Sequence, residues 1–209
     1  MYPREAGQIV ILNGAPRAGK SSIVVVIQRT FRGPWMNLGV DVFARVITPP
    51  RYQPGIGLRP GEDGHELVPL VPVLYGAMYE SIAAHSRAGL NVVVDVGHHD
   101  PAVLTACAAT LAGLPVLFVG VRCPIQVVMK RRDQSGGGYA TGTADDPVPE
   151  PVRLWQERVH IPGIYDVEVD TSLQTPEECA ELIRQRLESS PAPSAFRQLA
   201  EGISGLAPS

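Results

Sequence analysis

The eight residues Gly14-Ala15-Pro16-Arg17-Ala18-Gly19-Lys20-Ser21 constrain this chain more than any other stretch. They follow an apolar run, Ile9-Val10-Ile11-Leu12, and open an apolar-rich segment, Ser22-Ile23-Val24-Val25-Val26-Ile27. Strand, glycine loop and helix, in that order, are the context of a phosphate-binding loop. Glycines let the backbone turn tightly enough for successive N–H groups to face phosphate oxygens, and the following helix adds the partial positive charge of its N-terminus. In such a loop Lys20 reaches the outer phosphates, the Ser21 hydroxyl holds Mg²⁺, and Ser22 continues the cradle. Lysine usage agrees. Only Lys20 and Lys130 are lysines among 18 Lys and Arg residues, so a compact ammonium stands here in a chain that otherwise uses arginine. The alternative is a glycine-rich turn ahead of an ordinary helix.

The pattern downstream is that of alternating strands and helices. Residues 8–13 form a continuous β-branched run, the composition of a strand covered on both faces in a parallel sheet. A helix is expected from about Lys20 to Arg29, then a short strand, Trp35–Asp41, with an acid at its carboxyl end. Ligands of open α/β sheets bind outside the carboxyl ends of the strands, which turns Asp41 and the loop at 14–21 towards one crevice. Asp41 also reads as an N-cap for a helix over Val42–Val46. Residues 48–72 are rich in Pro and Gly, and are either a substrate-covering loop or a linker. A helix over about Val73–Ala88 follows, stopped by Gly89.

Asn91–Val96 is a second fully buried strand, and it carries Asp95, an acid placed to share Mg²⁺ with Ser21. Gly97-His98-His99-Asp100 has the look of a metal cluster, but adjacent ligands without a second spaced pair are a weak signal. Asp100-Pro101 reads better as N-cap and first residue of the next helix, Pro101–Ala112. Phe43, Tyr79 and His98 are the candidates for the acceptor side. Val116–Val121 is a third strand, and a helix over Ile125–Arg132 ends in Lys130-Arg131-Arg132. The Gly-, Thr- and Asp-rich segment 135–147 beside this basic cluster has the layout of a lid that brings arginines onto a transferring phosphoryl group. Alternatively, the three cations merely complement a helix C-terminus. A polar helix over Glu150–His160 precedes a strand, Tyr165–Asp170, whose alternation suggests a sheet edge. Thr175-Pro176-Glu177-Glu178 supplies a capping box for a last helix to about Leu187. Residues 189–209 are expected to be a flexible tail with at most a short helix near 195–201.

The fold expected is therefore α/β, a three-layer P-loop NTPase or kinase fold with a central parallel sheet and a lid, in one domain over residues 1–188. A net charge of −3 and a pI of about 5.9, with no basic stripe, argue against nucleic acid as the main partner. No apolar segment is long enough to span a membrane. The odd number of cysteines, each within an apolar segment, suits buried thiols in a reducing compartment, and no signal h-region is apparent; a cytoplasmic location follows. No Asn-Lys-x-Asp base-reading signature of a GTPase occurs. A small-molecule kinase fits best: Lys20, Mg²⁺ and a lid arginine spread the developing charge, while Asp41 accepts or orients the proton of a substrate hydroxyl.

Several blocks closely resemble the chloramphenicol phosphotransferase-like proteins. They are Ile11-Leu12-Asn13-Gly14 leading into Ala18-Gly19-Lys20-Ser21, Pro34-Trp35, Gly39-Val40-Asp41, Arg87-Ala88-Gly89, Val119–Cys123 and Tyr165–Thr171, in order between about residues 8 and 188. The resemblance implies ATP-dependent phosphorylation of a hydroxyl on a small antibiotic-like molecule, with Asp41 as the base and Arg131 as a lid arginine. The chain departs from the pattern at Met129 and Ser135 and in the 135–147 insertion, where Arg132 or Arg153 would have to substitute for a second lid arginine. Two other readings stay open: a metabolic kinase of the shikimate, gluconate or nucleotide type, and a nucleotide-binding module without transfer activity. A homo-oligomer is compatible with all of them.

Overall fold

The computed structural model describes residues 5–52, 67, 69–135, 141–189 and 191–201. Strand β1, Ile9–Asn13, is buried along its whole length, because it lies at the centre of a five-stranded sheet. Beside it run β3 (Asn91–Val96) and β4 (Val116–Arg122), and outside these β2 (Trp35–Asn37) and β5 (Val167–Asp170). The order is β2-β3-β1-β4-β5 and every pairing is parallel. Register is set by the β-branched runs: Ile9 stands opposite Val92 and Val116, and Ile11 opposite Val94 and Phe118.

Side chains of a strand alternate between faces, so a run apolar at every position needs cover on both sides. Val10 and Leu12 enter a core with α1 (Lys20–Thr30), α5 (Ile125–Asp133) and α7 (Pro176–Glu188), through Ile23, Ile27, Val128, Cys179 and Ile183. Ile9 and Ile11 enter the opposite core with α3 (Leu70–Arg87), α4 (Pro101–Thr110) and α8 (Ala195–Glu201), through Met78, Ile82, Leu104 and Phe196. The three-layer α/β architecture is thus present. Cys107, Cys123 and Cys179 are buried free thiols.

Local chemistry fixes the helix starts. Asp100 caps α4, accepting from Ala102 N at 2.8 Å, with Pro101 in the first turn. Its carboxylate is therefore engaged in capping, and no group of three or more His, Cys, Asp or Glu placed to share one metal ion occurs among the described residues. Thr175 and Glu178 form a reciprocal capping box on α7. Helix α3 begins one turn before the expected Val73, which puts Pro72 in the first turn, where its missing N–H has no intrahelical role. Gly89 ends the excursion at φ 86°.

Three expectations change. Trp35–Asp41 is not one strand: β2 stops at Asn37, Gly39 caps a helical turn α2 (Val40–Val42), and a π-helical turn, Phe43–Ile47, continues it. Asp41 thus lies in the first turn of a helix; the N-cap is Gly39. Of the expected tail, 191–201 are described, and the short helix expected near 195–201 is packed on the core rather than loose. Asp166 accepts from Ser194 N (2.7 Å), Ala195 N (3.0 Å) and Phe118 N (2.9 Å), and Phe196 packs edge-on against Phe118, seating α8 in the core. Of the expected loop over 48–72, residues 53–66 and 68 lie outside the described residues; Pro50–Tyr52 form a 3₁₀ turn. Of the expected lid, 136–140 lie outside them, and 141–149 follow neither helix nor strand ahead of α6 (Glu150–Arg158). No helix among the described residues is long and apolar enough to cross a membrane.

Candidate active site

At the carboxyl edge of the sheet, where β1 passes from its β3 neighbour to its β4 neighbour, the loop 14–21 opens onto a cavity of about 470 Å³. Gly14 must be glycine because an added Cβ would stand 2.5 Å from Val121 O, so any side chain would lift the loop off β4. Arg17 (φ 71°) and Gly19 (φ 95°) take left-handed backbone conformations, the kind of kink that gathers N–H groups into an anion-binding concavity. Lys20 Nζ donates to Gly14 O (2.7 Å) and Ala15 O (2.9 Å), so the ammonium is folded over the loop it would serve. Burial lowers its pKa to about 8, while the nearby Asp95 and Asp41 carboxylates pull the other way.

Ser21 Oγ donates to Asp95 Oδ2 at 2.7 Å, which brings together the two groups expected to share a divalent cation. A hydroxyl and a buried carboxylate side by side are hard oxygen donors, the set that Mg²⁺ prefers. The approach depends on Gly39: a Cβ there would stand 1.8 Å from Asp95 Oδ1. Asn13, to which the sequence assigned no role, ties the end of β1 to the segments at 98, 159 and 165. Its Nδ2 donates to Val159 O (2.7 Å) and Tyr165 Oη (2.9 Å), and its Oδ1 accepts from His98 N (2.8 Å).

Arg131 lines the cavity but is held down. It donates to Thr171 O (2.7 Å), Thr171 Oγ1 (3.0 Å) and Arg17 O (3.4 Å), while Arg17 donates back to Arg131 O (2.9 Å). Thr171 Oγ1 in turn donates to Ala18 O (2.6 Å), so loop, α5 and the end of β5 are laced together. Arg132 is 2% exposed and does not line the cavity, because it lies on the core side of α5 with Val128 and Met129; a direct role in holding nucleotide does not fit that position. Arg153, the other substitute for a second lid arginine, pairs with Asp146 at 3.0 Å, and Ser135, which stands where that arginine was expected, donates its Oγ to Arg131 O.

Across the cavity from the loop lie Val40, Asp41, Phe43, Ala44 and Arg45 of the α2 turn, Val71, Leu74, Tyr75 and Met78 of α3, and His99 and Trp155. Asp41 and Arg45 form an ion pair at 3.3 Å. Phe43, expected on the acceptor side, lines the cavity. Tyr79 and His98, expected there too, do not: both are buried, joined Tyr79 Oη to His98 Nε2 at 2.7 Å. Burial, reinforced by His99, lowers the His98 pKa to about 3, so it is a neutral core histidine. The neighbouring positions take the place expected of them. Tyr75, one turn before Tyr79, and His99, one residue after His98, face the cavity, and His99 packs edge-on against Trp155 at 4.7 Å. Trp155 reaches this wall because Gly97 has no side chain; a Cβ there would stand 2.5 Å from the indole ring.

The sequence matches the chloramphenicol phosphotransferase-like protein family over residues 7–188. A protein of Mycobacterium tuberculosis strain H37Rv named "Putative O-phosphotransferase" is 25% identical over 210 residues, covering 92% of this chain and 88% of that protein. Among solved structures, the tunicamycin resistance protein of Deinococcus radiodurans superposes with a TM-score of 0.61 at 20% identity, over 90% of this chain and 99% of that one. The APS kinase CysC of Mycobacterium tuberculosis, in complex with AMPPNP and APS, superposes with a TM-score of 0.58 at 16% identity, over 88% and 99%. At these identities the two structures establish a shared fold.

Proposed function

The chain belongs to the chloramphenicol phosphotransferase-like family, and from that premise we propose that it transfers the γ-phosphoryl group of ATP to a hydroxyl of a small organic molecule. The observation that carries this reading is the single cavity in which the phosphate loop and Asp41 face each other, with an apolar and aromatic wall on the Asp41 side. The loop backbone and Lys20 would bind the phosphates of the donor, Lys20 by exchanging its bonds to Gly14 O and Ala15 O for phosphate oxygens. Ser21 and Asp95 would hold Mg²⁺, which when bound neutralises phosphate charge. Asp41 would take the proton of the acceptor hydroxyl on a carboxylate oxygen as the new oxygen–phosphorus bond forms and the bond to the bridging oxygen of ADP breaks. Val40, Phe43, Leu74, Tyr75 and Met78 would seat an apolar or aromatic body beside that hydroxyl and keep water from competing for the phosphoryl group.

The acceptor is open between an antibiotic of the kind the family and the Deinococcus radiodurans relative are named for and a metabolite. Incubation with Mg²⁺ and ATP and five alcohols, chloramphenicol, tunicamycin, shikimate, gluconate and adenosine, followed by mass spectrometry, separates these: a product 80 Da heavier from at least one is the expected result. One observation favours a second reading, a nucleotide-binding module without transfer. Arg131, Arg132 and Arg153 are all engaged away from the cavity's centre among the described residues. Tight ATP binding with no product from any of the five alcohols would select that reading instead.

A further inference from the structure

Tyr75 is a tyrosine where a phenylalanine would pack as well. Its ring lies against the His98 imidazole, with centroids 5.1 Å apart, in the wall of the cavity. Its phenol oxygen takes no hydrogen bond among the described residues. The equivalent oxygen one turn on, at Tyr79, is fully used by His98 Nε2 at 2.7 Å. The Tyr75 hydroxyl is thus a polar group without a protein hydrogen bond, in a wall that Val40, Phe43, Leu74 and Met78 share with Asp41, Arg45 and His99. Open to the cavity rather than sealed in the core, that hydroxyl is available to exchange water for an oxygen of a bound molecule.

The position is also fixed from behind. His98 cannot turn, because Tyr79 Oη holds its ring and Asn13 Oδ1 holds its backbone N–H at 2.8 Å. Tyr79 in turn stacks on Phe196 of α8, the two planes 3° from parallel. Tyr75 therefore stands on a rigid base, as a residue that reads substrate must. Burial, with Cys107 and then Asp41, keeps its phenol protonated well above the ordinary tyrosine range, so at any working pH it is a donor; Asp41 is close enough to act on it electrostatically.

We propose that Tyr75 is a specificity-determining residue whose phenol donates a hydrogen bond to a second oxygen function of the acceptor, a hydroxyl, ether or carbonyl carried beside the hydroxyl that faces Asp41. The acceptors of this enzyme are accordingly alcohols with at least two oxygen functions, and simple mono-alcohols of the same shape are poor substrates. The proposal rests on the phosphotransfer reading above. Since one neutral hydrogen bond is at stake, the expected discrimination is about two- to tenfold.

The test is Tyr75→Phe, which keeps the ring, assayed on whichever of the five panel alcohols the wild type phosphorylates and on analogues of that alcohol with its other oxygen functions deleted one at a time. The expected result is an acceptor KM raised about two- to tenfold with the KM for ATP unchanged, and equal KM values for wild type and variant on one of the deletion analogues. A purely structural role would weaken every analogue alike. An acceptor KM unaffected by Tyr75→Phe, or raised equally on all analogues, overturns the role given to Tyr75 while leaving phosphotransfer standing. Failure of the wild type to phosphorylate any of the five alcohols overturns the phosphotransfer reading and this proposal with it.

Discussion

Gly39→Ala isolates one contact on which the Ser21–Asp95 corner, proposed above to hold Mg²⁺, depends. The backbone at Gly39 (φ −66°, ψ 164°) is one that alanine adopts freely, so the substitution introduces no backbone strain. The added Cβ, however, would stand 1.8 Å from Asp95 Oδ1, 3.0 Å from Asp95 Cγ and 3.1 Å from Asp95 N. Bringing that first contact out to about 3.4 Å, where carbon and oxygen touch without overlap, requires a displacement of roughly 1.5 Å. Asp95 is 7% exposed and its other carboxylate oxygen holds Ser21 Oγ at 2.7 Å, so the carboxylate cannot move that far without releasing Ser21. Loss of a hydrogen bond to a charged group costs about 1.5–3 kcal/mol, and a misplacement of about 1 Å in a reacting site can cost a hundredfold in rate. Gly39→Ala should therefore lower kcat about a hundredfold and weaken Mg²⁺-dependent ATP binding, both measurable by coupled ADP release and by calorimetry with and without EDTA. Wild-type kcat and unchanged Mg²⁺ dependence would refute the view that Asp95 is held in place for the cation.

Two further predictions concern stability. His98 is neutral in the fold, with a pKa near 3 against 6.5 when unfolded, so between those values the unfolded chain binds the extra proton and stability falls as pH falls. The differential reaches on the order of 4 kcal/mol by pH 3; urea denaturation at pH 7.5, 5.5 and 4 should show the decline, and a flat profile across that range would contradict it. Asp166→Ala strands the N–H groups of Phe118, Ser194 and Ala195 and should destabilise by at least about 3 kcal/mol, detaching α8; a loss under about 0.5 kcal/mol would contradict the capping role.

The sheet was legible in the sequence because its signals are local. The β-branched runs of β1, β3 and β4 can only be strands covered on both sides, and Asp100-Pro101 and Thr175–Glu178 announce their helices within four residues. The phosphate loop and the Ser21–Asp95 pair were legible for the same reason: strand ends and the loop converge on one edge of a parallel sheet. What escaped depends on residues distant in the chain. Whether Tyr75 or Tyr79 faces the cavity depends on where α3 runs out from under the sheet, since both share one helical face. The choice between His98 and His99 turns on the Asn13 amide, 85 residues away, fixing the backbone at 98. The short helix near 195–201 was legible but its docking was not: at seven residues α8 is too short to stand on propensity, and it is seated by Asp166 and by the Phe196 contact with Phe118. Trp155 joins the wall only because Gly97 leaves it room, a fact of packing that no periodicity carries.

The central claim is that the loop at 14–21 binds the donor while Asp41, across the same cavity, acts on the acceptor. It is tested most directly by measuring ATP affinity and phosphoryl transfer on one sample of Asp41→Asn. The account predicts a Kd for Mg²⁺ and ATP within about twofold of wild type, with transfer to the acceptor reduced about 10²- to 10⁴-fold, the usual contribution of a positioned general base. Transfer at the wild-type rate, or a loss of transfer matched by an equal loss of ATP affinity, would contradict it.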